Sequence, residues 1–326
     1  MRIRKSSICR GTAFALLLTA ATLIGCVKEE DQASSSRRTS SGNGSSLSQD
    51  NLLLCDTRDL DQDSTNQLSS LFSDFNKMAV NRAASTSAKV YTIPVSFHII
   101  QKDSSPTGGD VSDDALIEQI DVLNRAYSGE TGGTITPYRF QLASINRVSN
   151  PAWHTLGPGS SQEADAKKAL RVGGATTLNV FVSDIAPPEG QKGTILGYST
   201  FPFVYQLQPE VDGIVLNYRA VPGSNFANFN TGHVLVHEAG HWLGLLHTFT
   251  GACDGVFTDF VSDTPREKPP TPGNYCPIGR DSCPETPGVD PIHNHMTYTG
   301  DNCRTEFTPG QVNFMRFNTL LFRGMN

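Results

Sequence analysis

The sequence predicts an α+β fold with a regular sheet-and-helix part followed by an irregular, cysteine-rich part. Three observations carry this. Strand-like alternation and helix-like spacing intermix up to about residue 220. A strong apolar helix follows over 231–246. From 251 to 308 there is no periodicity, and Pro, Gly, Asp and Cys dominate, so cross-links or ions must replace a core there.

The elements follow in chain order. Arg2, Arg4, Lys5 and Arg10 form a positive n-region, and 12–24 is an apolar run of export-signal length, too short to span a bilayer. It ends in Leu23-Ile24-Gly25-Cys26, which looks like a bacterial lipobox whose Cys26 takes a lipid; an ordinary cleaved signal is the alternative. Residues 27–50 are rich in Ser, Gly and Asn and read as a flexible tether. Apolar spacing returns over 51–78 and can hold a short helix, and 83–88 reads as an exposed, cleavable junction. Strands are expected over 90–100, 138–148, 177–183 and 213–218. Helices are expected over 112–127, capped by Ser112 with Leu116, Ile120, Leu123 and Tyr127 on one face, and over 162–172. Thr308-Pro309 opens a last helix. The expected division is 1–26 signal, 27–88 tether and pro-segment, and 89–326 the functional domain.

The chain has 326 residues and a net charge of −6, with 37% hydrophobic and 18% charged residues. A sizeable core is possible, and the absence of a dominant basic block argues against nucleic-acid binding. Membrane contact is expected only through the lipid, and a monomer is expected.

Of the seven cysteines, Cys253, Cys276, Cys283 and Cys303 cluster late. In an exported chain they read as two disulfides, for which spacing alone allows three pairings. Cys55 is the odd one, upstream of the folded domain.

The chemistry is concentrated in His237-Glu238-Ala239-Gly240-His241-Trp242-Leu243-Gly244-Leu245-Leu246-His247. His237 and His241 share a helical face, and Gly244 lets the chain turn so that His247 joins them. A zinc ion on three neutral imidazoles keeps an open fourth position and supplies a Lewis acid for hydrolysis. Glu238 is placed as the general base. Leu235, Ala239, Leu243 and Leu246 face the other way, and His233 reads as an exposed first-turn residue.

The eleven-residue motif, with His295-Met296-Thr297-Tyr298 downstream, is the metzincin pattern. With Asp263-Thr264-Pro265, Asp290-Pro291-Ile292-His293-Asn294 and Phe307-Thr308-Pro309-Gly310-Gln311, the chain resembles the pappalysin-type metzincins (peptidase family M43), especially small secreted bacterial and fungal members. The resemblance runs from about residue 93 to 317. It implies a metzincin fold of two subdomains, with a twisted mixed sheet above, the zinc helix beneath it, and a disulfide-linked lower part. It implies an exported endopeptidase acting on protein or peptide substrates, with Met296 under the zinc site and Tyr298 near the metal as a donor to the tetrahedral intermediate. It implies the pairs Cys253–Cys283 and Cys276–Cys303, and structural calcium at Asp259 and Thr264. Leu54-Cys55-Asp56-Thr57 resembles the family's Cys-containing pro-segment motif, so Cys55 is expected to occupy the zinc site and hold the enzyme latent. Two departures stand out: Thr297 where Asp or Asn is usual, and Asn302 before the last Cys. The latter region lines the pocket for the residue after the scissile bond, so a family preference for basic side chains does not carry over directly. The alternative function is an inactive surface-anchored binding module; the presence of Glu238 and all three His ligands speaks against it.

Overall fold

The computed structural model describes residues 52–57, 62–80, 89–255, 258–270 and 275–325. Cys26 and residues 82–88 lie outside them. Seven strands form one mixed sheet. β1 (Leu52–Cys55), β2 (Tyr91–Gln101), β3 (Tyr138–Ser149), β4 (Thr155–Leu156), β5 (Leu178–Ile185), β6 (Thr194–Ser199) and β7 (Ile214–Asn217) are joined in the order β1-β6-β7-β5-β2-β3, with β4 beside β5. All neighbours run parallel except β6 against β7.

Parallel strands are normally covered on both faces, and these are. β5 and β7 are buried along nearly their whole length. Val180, Val182, Ile214 and Leu216 share a core with α2 (Asp113–Tyr127) and α4 (His233–Trp242). Phe181 and Val215 enter a second core with Ala166 of α3 (Ser161–Leu170). Ser112 caps α2 as expected, its hydroxyl accepting from the Ala115 amide. Thr308 and Gln311 form a reciprocal capping box at the start of α5 (Pro309–Phe322).

Residues 251–308 contain no helix or strand among those described, only an isolated bridge between Asn294 and Glu306. Disulfides Cys253–Cys283 and Cys276–Cys303 hold this part, with the pairing implied by the family. Each closes a loop of about 30 residues and contributes about 3 to 4 kcal/mol by the chain-entropy model.

The N-terminal segment is more structured than the short helix expected for 51–78. It supplies β1, which pairs with β6 and forms that edge of the sheet, and a 19-residue helix, α1 (Gln62–Val80). Phe72 and Phe75 of α1 pack on Phe314 and Phe317 of α5 with ring centroids 4.7–5.4 Å apart, and Asn313 donates to Asn76 at 2.7 Å. β6 itself was not expected as a strand, because Gly197 interrupts its apolar alternation.

Arg323, just past α5, fixes the end of α4. Its Nε donates to the Trp242 carbonyl at 3.0 Å, and its guanidinium lies 3.5 Å from the Trp242 ring centroid. It pairs with the fully buried Asp212 at 3.0 Å.

Candidate active site

The zinc-motif helix is shorter than the 231–246 expected. Gly232, in a left-handed conformation, precedes it, and Gly244 at φ 106° ends it. Every residue from Val234 to Trp242 is buried. The anchoring stripe Leu235, Ala239, Leu243 and Leu246 is at most 2% exposed. Gly240 has no room for a side chain, since a Cβ there would strike Met296 Sδ. Met296 is thus packed directly beneath the helix that carries the ligands.

The turn after α4 brings His247 to the other two imidazoles. His237 Nε2 and His247 Nε2 each lie 3.1 Å from His241 Nε2. His237 Nδ1 faces the His295 carbonyl at 2.8 Å, and His241 Nδ1 faces the Leu245 carbonyl at 2.7 Å. A nitrogen facing a carbonyl must carry the ring proton, so both Nε2 atoms are lone-pair donors. Two lone pairs 3.1 Å apart repel unless a cation lies between them. Burial and the neighbouring imidazoles push His237 and His241 well below the usual histidine range, keeping them neutral as ligands must be. The chemistry of this donor set therefore fits zinc.

Cys55 Sγ is the fourth member of the cluster, its ligand atom within 4.8 Å of the three histidine nitrogens. It donates to Glu238 Oε2 at 3.5 Å, and burial, then Glu238, raise its thiol well above the ordinary range. Thr57, which sequence reasoning missed, also donates to Glu238 Oε2 at 3.3 Å and accepts from the Ser199 amide of β6 at 2.9 Å. Burial pushes Glu238 up to about 8. Tyr298 stands against His247, with centroids 4.9 Å apart, and its hydroxyl donates to the Cys55 carbonyl at 2.9 Å.

A second missed residue, Glu267, underpins the site. It is fully buried, and its Oε1 accepts from both Thr248 and Thr297 hydroxyls at 2.6 Å, tying the residue after His247 to the residue after Met296. The unusual Thr297 is accommodated in this way. Oε2 pairs with Arg280 at 3.1 Å, and Arg280 also binds Asp290. Glu267→Ala is expected to cost about 3 kcal/mol of stability, because it takes from Arg280 one of its two carboxylate partners and from two buried hydroxyls their shared acceptor. Urea unfolding of zinc-loaded protein measures it; a loss under about 1 kcal/mol would contradict the role.

His233 is half-buried rather than exposed, with its ring 5.5 Å from that of His295. Asp259 and Thr264 are both buried. Thr264 Oγ1 donates to Asp259 Oδ2 at 2.6 Å, and the Val261 amide donates to Oδ1 at 3.1 Å. Burial raises Asp259 to about 7. A carboxyl with a raised folded-state pKa favours the protonated fold at low pH, and that contribution is lost as pH rises from about 4 to 7. Tm of the wild type is therefore expected to fall relative to Asp259→Asn over that window; parallel profiles would contradict it.

The chain is similar to known metalloproteases. The family model described as pregnancy-associated plasma protein-A, peptidase M43, matches residues 174–320. An extracellular metalloprotease of Pyricularia oryzae is 38% identical over 234 residues, covering 72% of this chain and 76% of that protein. Extracellular metalloprotease 1 of Coccidioides posadasii is 40% identical over 219 residues, 66% of this chain and 72% of that protein. Mature mirolysin of Tannerella forsythia, solved with a cleaved peptide, is 28% identical with a TM-score of 0.59, covering 74% of this chain and 96% of that one. A promirolysin mutant is 25% identical with a TM-score of 0.62, covering 84% and 97%. With its three converging imidazoles, the Met296 floor and this degree of identity, the chain belongs to the M43 family of metzincin-type zinc metalloproteases.

Proposed function

We propose that the chain is an exported zinc endopeptidase, made as a latent precursor, that hydrolyses peptide bonds in proteins. One observation carries this above the others: the Nε2 atoms of His237, His241 and His247 converge beside a buried carboxylate, and Tyr298 already donates to a peptide carbonyl there.

Bound zinc supplies Lewis acidity at the substrate carbonyl and to the attacking water. Glu238 takes the proton from that water and delivers it to the leaving amine. Tyr298 donates to the carbonyl oxygen as charge develops on it. The β6 edge, occupied here by β1, aligns an extended substrate by strand addition.

Latency rests on residues 52–57. Cys55 completes the ligand cluster, its carbonyl takes the Tyr298 hydroxyl, and Thr57 takes Glu238. Each group with a catalytic role is engaged by this segment. The fuller coverage by the promirolysin mutant than by mature mirolysin supports an N-terminal pro-segment. Release requires cleavage within 82–89. Export follows from the signal at 1–26 and is supported by the extracellular relatives. Cys26 then anchors the precursor to the envelope, at the outer membrane given Val27, and cleavage between Cys26 and the domain at 89–326 frees a soluble form.

The test is mass-spectrometric profiling of a peptide library after incubation with processed, zinc-loaded protein. Internal cleavages are expected. A library left intact would overturn the assignment and favour the inactive binding module.

A further inference from the structure

Beside Glu238 lies a cavity of about 10 Å³, the room of about one water. Leu196, Phe229 and Val234 give it apolar walls, Glu238 and Tyr298 form its reacting side, and Cys55 plugs it. His237 and Arg304, a cation only 4% exposed, complete its lining. When residues 52–57 leave, the plug goes and this space joins the cleft next to the reacting groups. Joined to the space that the segment vacates, it lies open to the side chain of a substrate residue adjoining the scissile bond.

The charge arrangement decides which side chain. Arg304 Nη2 pairs with Asp301 Oδ1 at 2.7 Å, and Asp301 is 1% exposed. The other Asp301 oxygen accepts from the Thr231 amide at 2.9 Å and the Thr231 hydroxyl at 3.0 Å. Both oxygens of the acid are thus taken, and it has nothing to offer an incoming cation. The guanidinium is the less satisfied partner. Its Nε is buried and has no hydrogen-bond partner among the described residues. A buried donor left unpaired is costly, so the site gains from any acceptor that reaches it. An incoming Lys or Arg would meet a desolvated like charge instead. Asn302, the position where the sequence departs from the family, is exposed. The side chain in the pocket is Arg304, two residues on.

We propose that Arg304 is the specificity determinant of this pocket, selecting a neutral side chain that ends in an oxygen acceptor, of which glutamine is the type, and rejecting lysine and arginine. Arg304 acts here as a cover over Asp301. Removing its charge leaves a buried acid facing the substrate and inverts the preference. The proposal rests on the endopeptidase assignment above.

The experiment measures kcat/KM of processed protein on peptides identical except at the residue after the scissile bond, with Gln, Glu, Leu, Lys or Arg there. A parallel set varies the residue before it. Gln is expected to exceed Lys and Arg by at least about 10-fold in the wild type. Arg304→Met keeps the apolar stem and drops the charge, and is expected to raise Lys or Arg above Gln. Arg304→Lys keeps the charge and is expected to retain the rejection of basic residues. Circular dichroism and zinc content establish that each variant is folded. A wild type that prefers Lys or Arg overturns the proposal, as does a folded Arg304→Met variant with an unchanged ranking. Should Arg304→Met not fold, the wild-type and Arg304→Lys rankings decide. Failure to cleave any peptide in either set would instead remove the endopeptidase assignment itself.

Discussion

Glu238→Ala is expected to lower kcat/KM for peptide cleavage by roughly 100- to 10,000-fold while zinc stays bound. Glu238 is adjacent in sequence to a ligand but is not one. The imidazoles keep their places through the His295 and Leu245 carbonyls, contacts that do not involve Glu238. The variant therefore removes the proton carrier and spares the metal site. Steady-state kinetics and metal analysis on one preparation measure both halves of the statement. An active Glu238→Ala variant would exclude Glu238 as the base, and a variant without zinc would show that its role is structural.

Cys55→Ala in a chain beginning at Val27 is expected to raise activity before any processing by at least about 10-fold, equivalent to about 1.4 kcal/mol of interaction between the thiol and the site. The gain falls short of full activation. β1 still occupies the β6 edge, and the aromatic contacts of α1 with α5 still hold the segment in place. Comparing the intact variant with processed wild type separates what the thiol contributes from what strand and helix contribute. If the intact wild type already matches the variant, there is no cysteine switch.

The site was legible where its chemistry is local. His237 and His241 are one helical turn apart, and Gly244 marks where the chain must turn, so three converging imidazoles with Glu238 beside the first could be read from eleven residues. The strands with clear alternation and the capped helices, β2 and α2 above all, were legible for the same reason. What could not be read depends on contacts between distant segments. Glu267 lies in a Pro-rich run with no periodicity, and its partners Thr248 and Thr297 are 19 and 30 residues away. Arg304 gains meaning only from the cavity that Leu196 and Phe229 build with it. α1 was underestimated because its apolar face is partnered by α5, some 240 residues downstream.

In the proposed enzyme, three imidazoles hold the one metal ion on which hydrolysis depends. The direct measurement is metal content and peptidase rate on the same processed sample, through phenanthroline chelation and back-titration with zinc. About one zinc per chain, activity lost in step with its removal, and recovery complete near one equivalent are the expected results; full activity in a sample verified to be free of zinc would contradict the claim.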